Sequence, residues 1–170
     1  MNSRPTLATA CSIAELYPDC VRVYPTVVVE NSRLARWYKQ GEYRPLPLET
    51  AVSLVKKIYR IFREKEIAVI RMGLQATEDL DDGSTVLAGP HHPAFGHMVY
   101  SELFYDRTVA QIESAEFSSK TLSIYVNPGS ISNMRGLHNS NIKKLKKRFG
   151  FFSVEVRPDA SLLEEEMRIR

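Results

Sequence analysis

Cysteine, glycine and tryptophan are scarce in this chain of 170 residues, which has two Cys, eight Gly and one Trp. Cys11 and Cys20 are too few for the disulfide framework of a small secreted domain and fit a reducing cytoplasm. Nor can they complete a four-thiolate zinc site or a three-thiolate iron–sulfur cluster within one chain. The low glycine content, beside nine Pro, excludes collagen-like and low-complexity chains. Apolar runs are only a few residues long, against about 18–20 for a membrane helix, and residues 1–20 lack the apolar stretch of a secretory signal. No sign of charge dominates: 23 basic residues against 20 acidic give a net +3, so the placement of charge matters more than its sum. What remains, 44% hydrophobic and 25% charged residues with a mean hydropathy of -0.25, is a globular composition. The length fits one domain or two small units.

The patterns along the chain predict an α/β start. Residues 1–9 read as a loose polar segment, and Cys11–Leu16 as a helical turn or two ended at Pro18. Val21–Val29 is β-branched and apolar at nearly every position, the look of a strand buried on both faces, with a bulge or irregular pairing at Pro25. Ser32–Gln40 reads as a short helix capped by Asn31 or Ser32 and by Gly41, packed down through Trp37 and Tyr38. Leu48–Lys65 carries the clearest helical period, with Leu48, Ala51, Val52, Val55, Ile58, Tyr59 and Phe62 on one stripe, widened by Leu54 and Ile61. Ile67–Leu74 is the second strand, so strand, helix and strand form a βαβ unit.

Glu78–Ser84 reads as an acidic loop, and Gly89–Pro93 as a second break. A long helix follows from Ala94 to about Ser114, with Phe95, Met98, Val99, Leu103 and Phe104 on one side. The last third predicts strands at Thr121–Val126 and Phe151–Arg157, a basic helix at Asn139–Phe149 and an edge strand at Met167–Arg170. The expected fold is α/β: a fragment of a parallel (β/α) barrel over residues 1–84, then a small α+β C-terminal module over 85–170.

No phosphate-binding glycine loop, nucleophile elbow or zinc-type histidine–glutamate motif is present. His92 and His97 are five residues apart, which suits neither a helical nor a strand metal pair, and capping at a helix start accounts for them. The Glu78–Asp82 run lacks calcium-loop spacing and reads as a solvated loop. Cys20, beside an apolar strand, reads as a small buried hydrophobe. The strongest binding signal is the basic helix: Lys143, Lys144, Lys146, Lys147 and Arg148 fall within six positions, preceded by Arg135. Either this is a solvated face or it neutralises nucleic-acid phosphates. The order of loop, basic helix and strand resembles the K-homology (KH) RNA-binding layout, in which a Gly-x-x-Gly loop clamps the backbone. Here the loop is Gly136-Leu137-His138-Asn139, with Asn139 in place of the second glycine.

Several strings resemble one family. Arg22-Val23-Tyr24-Pro25-Thr26-Val27-Val28 looks like the Arg-x-Tyr-Pro-Thr-Leu-Val strand of radical S-adenosylmethionine (SAM) proteins related to the catalytic subunit of Elongator. Ile70-Arg71-Met72-Gly73-Leu74-Gln75 is similar to that family's Ile-Arg-Ile-Gly-Leu-Gln strand. Gly89-Pro90-His91-His92-Pro93-Ala94-Phe95 resembles the Gly-Pro-x-His-Pro-Ala-Phe that opens the C-terminal domain of bacterial members. The resemblance implies a [4Fe–4S] cluster and SAM in the complete family protein. The cluster-binding C-x3-C-x2-C motif is absent from this chain, as is any acetyltransferase domain. The expectation is thus a C-terminal portion of a radical SAM protein, not catalytic by itself, that caps the barrel and contacts substrate. Carried over, Gly73, Leu74 and Gln75 would face SAM, and His91, His92 and Phe95 would contact substrate. The rival expectations are a tRNA-binding module that uses Arg135, Lys143, Lys144, Lys146, Lys147 and Arg148, and a subunit that docks to a separate cluster-bearing chain. Exposed strand edges at Val21–Val29 or Ile67–Met72 would serve a homodimer or that partner, with no membrane involved.

Overall fold

A computed structural model describes residues 3–75, 85–115 and 119–170. The chain divides into two compact units, Met1–Val99 and Tyr100–Arg170.

In the first unit, α1 (Ser3–Ala14) precedes β1 (Cys20–Val23), β2 (Val28–Val29), α2 (Arg33–Lys39), α3 (Leu48–Glu64), β3 (Ala68–Met72) and β4 (Val86–Ala88). α3 forms where its period demands. Ala51, Val52, Val55, Ile58, Tyr59 and Phe62 are buried, Glu49 sits in the first turn and Arg63 in the last, each suiting the helix dipole. β1 and β3 pair in parallel, with Cys20 opposite Ala68 and Val23 opposite Met72. α1 and α3 supply Ala10, Ala14, Ile58 and Phe62 to a core that Ile67 completes and Val21, Val23 and Val69 extend.

Three expectations change. The opening residues are helical, because Ala10 and Ala14 let α1 pack closely on that core. Val21–Val29 is not one strand buried on both faces. β1 ends at Val23, and β2 pairs antiparallel with β4 instead. Pro25 has no N–H to give a ladder and restricts Tyr24 before it. Cys20 is exposed rather than a buried hydrophobe, and Cys11 is exposed as well. The acidic loop Glu78–Ser84 lies outside the described residues.

The helix α4 (Phe95–Ser114) runs through the division, and the second unit continues with β5 (Thr121–Val126), α5 (Ile131–Arg135), α6 (Ser140–Phe149), β6 (Ser153–Pro158) and β7 (Met167–Ile169). Short 3-10 turns at Pro128–Ser130 and Leu137–Asn139 flank α5. β5 is central, parallel to β6 and antiparallel to β7. Its alternation drives Leu122, Ile124 and Val126 into a core with Phe104, Met134, Leu145, Val154 and Met167. The three strands and the basic helix expected of the last third are therefore present, and α5 is an addition to them.

Candidate nucleic-acid interface

α6 is amphipathic in an unusual way: Asn141 and Leu145 are buried, and five cations occupy its other faces. The turn that leads into it is tightly specified. Gly136 has φ 72° and ψ 169°, and a Cβ there would collide with Ser140 Oγ. His138 and Asn139 follow in the left-handed region, at φ 53° and 59°. Asn141, fully buried, donates its side-chain N–H to the carbonyls of Ser101 (2.8 Å) and Met134 (3.1 Å), tying the turn to α4 and α5.

Between this helical corner and the edge strand β6 lies an open groove of about 630 Å³. It is lined by Arg135, Asn139, Ile142, Lys143 and Lys146 from the helical corner and by Val154, Glu155, Val156 and Arg157 from β6, of which Val154 and Val156 face the core. Glu155 Oε2 accepts from Arg157 Nε (3.1 Å) and Nη2 (2.7 Å), and this contact holds the guanidinium above its ordinary pKa. Arg135, Lys143 and Lys146 make no ion pair among the described residues. Among the described residues the groove thus offers three cations without ion pairs, beside the half-buried Ile142 and Val156.

The six basic residues singled out in the sequence separate into three groups. Arg135, Lys143 and Lys146 reach the groove. Lys144 pairs with Glu102 and lies over Tyr105, while Arg148 bonds Glu113 (2.7 Å), so both turn toward α4. Lys147 is exposed and lines no wall. Sequence reasoning missed Ile142, Val154, Val156, Glu155 and Arg157. Alternation along β6 was the available signal for the last four.

The residues carried over toward SAM and substrate sit in the first unit. Gly73 ends β3 at φ 89°, and its N–H donates to Val23 O at 3.0 Å. A Cβ at Gly73 would lie 2.8 Å from Phe95 Cβ, so the space the glycine vacates is taken by Phe95. Phe95 is 1% exposed, so it serves packing in this structure, whereas Leu74 is half-buried and Gln75 exposed. His91 and His92 are half-buried, and His92 Nδ1 accepts the Ala94 N–H at 3.0 Å, a local cap before α4.

The described residues form a mixed α/β chain of two small units. Residues 18–104, just over half of the chain, match the model of the radical SAM C-terminal domain, and the chain belongs to that family. It is 32% identical over 85 residues (44% of this chain, 18% of the relative) to a tRNA uridine(34) acetyltransferase from Dehalococcoides mccartyi. It is 40% identical over 38 residues (22% of this chain, 7% of the relative) to the protein of that name from Methanocaldococcus jannaschii. The chain spans less than a fifth of the length of these curated relatives. No solved structure matches it significantly. The resemblance drawn from the motifs at Arg22–Val28 and Ile70–Gln75 therefore holds. The match also runs across β1, α3 and β3, so the region expected as the end of a barrel falls within what the family model describes as the C-terminal domain.

The family implies SAM and an iron–sulfur cluster for the whole protein. The donors here do not fit a cluster: the chain has two cysteines, and no group of three His, Cys, Asp or Glu side chains converges among the described residues. Among the same residues, no helix is long and apolar enough to cross a membrane.

Proposed function

We propose that this chain is the RNA-holding, non-catalytic part of a radical SAM protein, and that the groove between α6 and β6 takes a single strand of RNA. The groove carries the reading. Arg135, Lys143 and Lys146 meet phosphates, while the half-buried Ile142 and Val156 offer bases an apolar surface. A double helix has no unstacked bases to lay on such a floor. The relatives named for tRNA support RNA over other polyanions. In this reading the chain presents substrate, and the radical chemistry belongs to the cluster-bearing part of the protein, with Leu74 and Gln75 at the strand end toward SAM.

The test is the affinity of a fluorescein-labelled single-stranded oligonucleotide measured by anisotropy. Changing Lys143 and Lys146 together to Ala lowers affinity about tenfold or more at modest salt. Lys144→Ala and Arg148→Ala leave it nearly unchanged, because those cations already serve α4. Equal losses in all four variants would reduce the groove to diffuse charge and end the reading.

A second reading concerns partners. Among the described residues the β1–β3 pair has no third strand, and Ile70 is 54% exposed. Such edges take a strand from a cluster-bearing chain or from a second copy. Co-purification with an iron–sulfur partner, or a dimer in sedimentation, supports it; a strictly monomeric chain that captures neither rejects it.

A further inference from the structure

The short helix α2 and the turn behind it carry a face that folding leaves unexplained. Ser32 caps α2, its Oγ accepting the Ala35 N–H at 3.0 Å and donating to Val29 O at 2.6 Å. Of the seven helical residues only Ala35 is buried. Trp37 and Tyr38, expected to pack the helix down, are instead 39% and 37% exposed. Around them stand Arg33, Arg36, Lys39 and Arg44, all exposed, against one carboxylate, Glu42, in the same segment. None of the four cations has an ion pair among the described residues.

Residues three and four apart share a helix face, so Arg33 neighbours Arg36 and Trp37, and Arg36 neighbours Lys39. The Arg33 guanidinium lies 4.8 Å from the Trp37 ring centroid. Like charges at these spacings repel, and among the described residues no carboxylate pairs with them, Arg33 resting on the Trp37 ring instead. The chain then doubles back: the N–H groups of Glu42 (2.9 Å) and Tyr43 (3.2 Å) both donate to Trp37 O. That reversal returns Glu42 and Tyr43 to the last turn of α2, with Arg44 next along the chain. α6 offers the contrast, since its Lys144 and Arg148 are matched by Glu102 and Glu113. On α2 the cations have no such carboxylate partners among the described residues, and Trp37, with Arg33 over its ring, stands partly exposed among them.

We infer that this face is a second RNA contact, in which Arg33, Arg36, Lys39 and Arg44 meet phosphates and an unpaired base stacks on Trp37. A phosphate backbone supplies the regularly spaced negative charge that four unpaired cations require, and an indole face is a sequence-tolerant stacking surface. An acidic peptide would meet the charge but would leave the ring unused. The inference rests on reading the chain as RNA-binding, yet not on the groove, which uses other residues of the other unit.

Trp37 is the sole tryptophan of the chain, so its fluorescence reports on this face alone. A uridine oligonucleotide of about twelve residues should quench its emission saturably, and polyphosphate of matching charge should not. Arg33→Ala, Arg36→Ala and Lys39→Ala combined should abolish the quench and lower the salt slope of binding by about two. Trp37→Ala, followed by anisotropy, should weaken binding roughly tenfold, with Trp37→Phe close to the parent. In the Lys143→Ala/Lys146→Ala chain the quench should persist. If the oligonucleotide binds while Trp37 emission and the triple variant are unaffected, the α2 contact is wrong and the groove stands. Quenching by polyphosphate equal to that by RNA removes the stacked base and overturns the inference. Failure of the parent chain to bind RNA at all removes both readings.

Discussion

Gly73 shows how one residue can suit two explanations that differ physically. At a strand end facing a cofactor, a glycine gives close backbone approach. Here its φ of 89° and the 2.8 Å separation between a built Cβ and Phe95 Cβ give it another task, admission of the first turn of α4. Gly96 repeats the theme, with its built Cβ 3.0 Å from Met72 O. Gly73→Ala therefore combines a strained backbone with an overpacked contact, and costs about 2 kcal/mol or more. Urea unfolding should show the lower midpoint with the slope unchanged, and oligonucleotide affinity of the folded variant should match the parent. An unchanged midpoint would mean that Phe95 gives way freely and that the glycine is there for something else.

At the scale of elements, the link from β6 to β7 decides whether the sheet gains its antiparallel edge. Asp159 organises it. Its N–H donates to Val126 O at 2.8 Å, its Oδ1 accepts from Ser161 Oγ (2.6 Å) and N (3.0 Å), and its Oδ2 accepts from Arg168 at 2.7 Å. The Ser161 side chain first, then the Ser161 backbone, hold the carboxyl below its ordinary 3.8; desolvation opposes them and Arg168 and Arg170 assist. A depressed carboxyl binds its proton more readily when unfolded. Its stabilisation is therefore present above about pH 4 and disappears as pH falls through the folded value. Ser161→Ala should raise the Asp159 pKa toward 3.8, followed by carboxyl NMR, and its stability deficit should shrink on acidification. These elements were legible in unequal measure. α3 and β5 could be read closely because burial on one side imprints a period on the residues themselves. The break between β1 and β2 was marked by Pro25, but the switch of β2 to a different partner, β4, depends on residues far along the chain. The cationic run of α6 was plain, yet which lysines face the groove depended on Glu102 and Glu113 across on α4. Trp37 looked like a core residue because large aromatics usually are, and only the packed structure reveals that α2 buries Ala35 instead.

For the molecule as a whole, the small net charge of +3 conceals a segregated one. Among the described residues, Arg135, Lys143 and Lys146 in the groove and Arg33, Arg36 and Lys39 on α2 make no ion pair, while Lys144, Arg148, Arg157 and Arg168 are matched by carboxylates. This distinction has a measurable consequence. If net charge drove binding, any lysine would count alike, and the dependence on salt would follow the total. If only unmatched cations release counterions, each contributes about 0.7 to the slope of log affinity against log salt for a single strand, and matched ones contribute little. Lys143→Ala with Lys146→Ala should then lower the slope by about 1.4, and Lys144→Ala with Arg148→Ala by almost nothing, although both pairs remove the same charge. The second pair should instead lower the unfolding midpoint only slightly, since solvent screens exposed ion pairs. Titrations between about 50 and 200 mM salt resolve the difference. Equal slopes in the two double variants would show that the protein is bound as a diffuse cation, with no interface built for a strand.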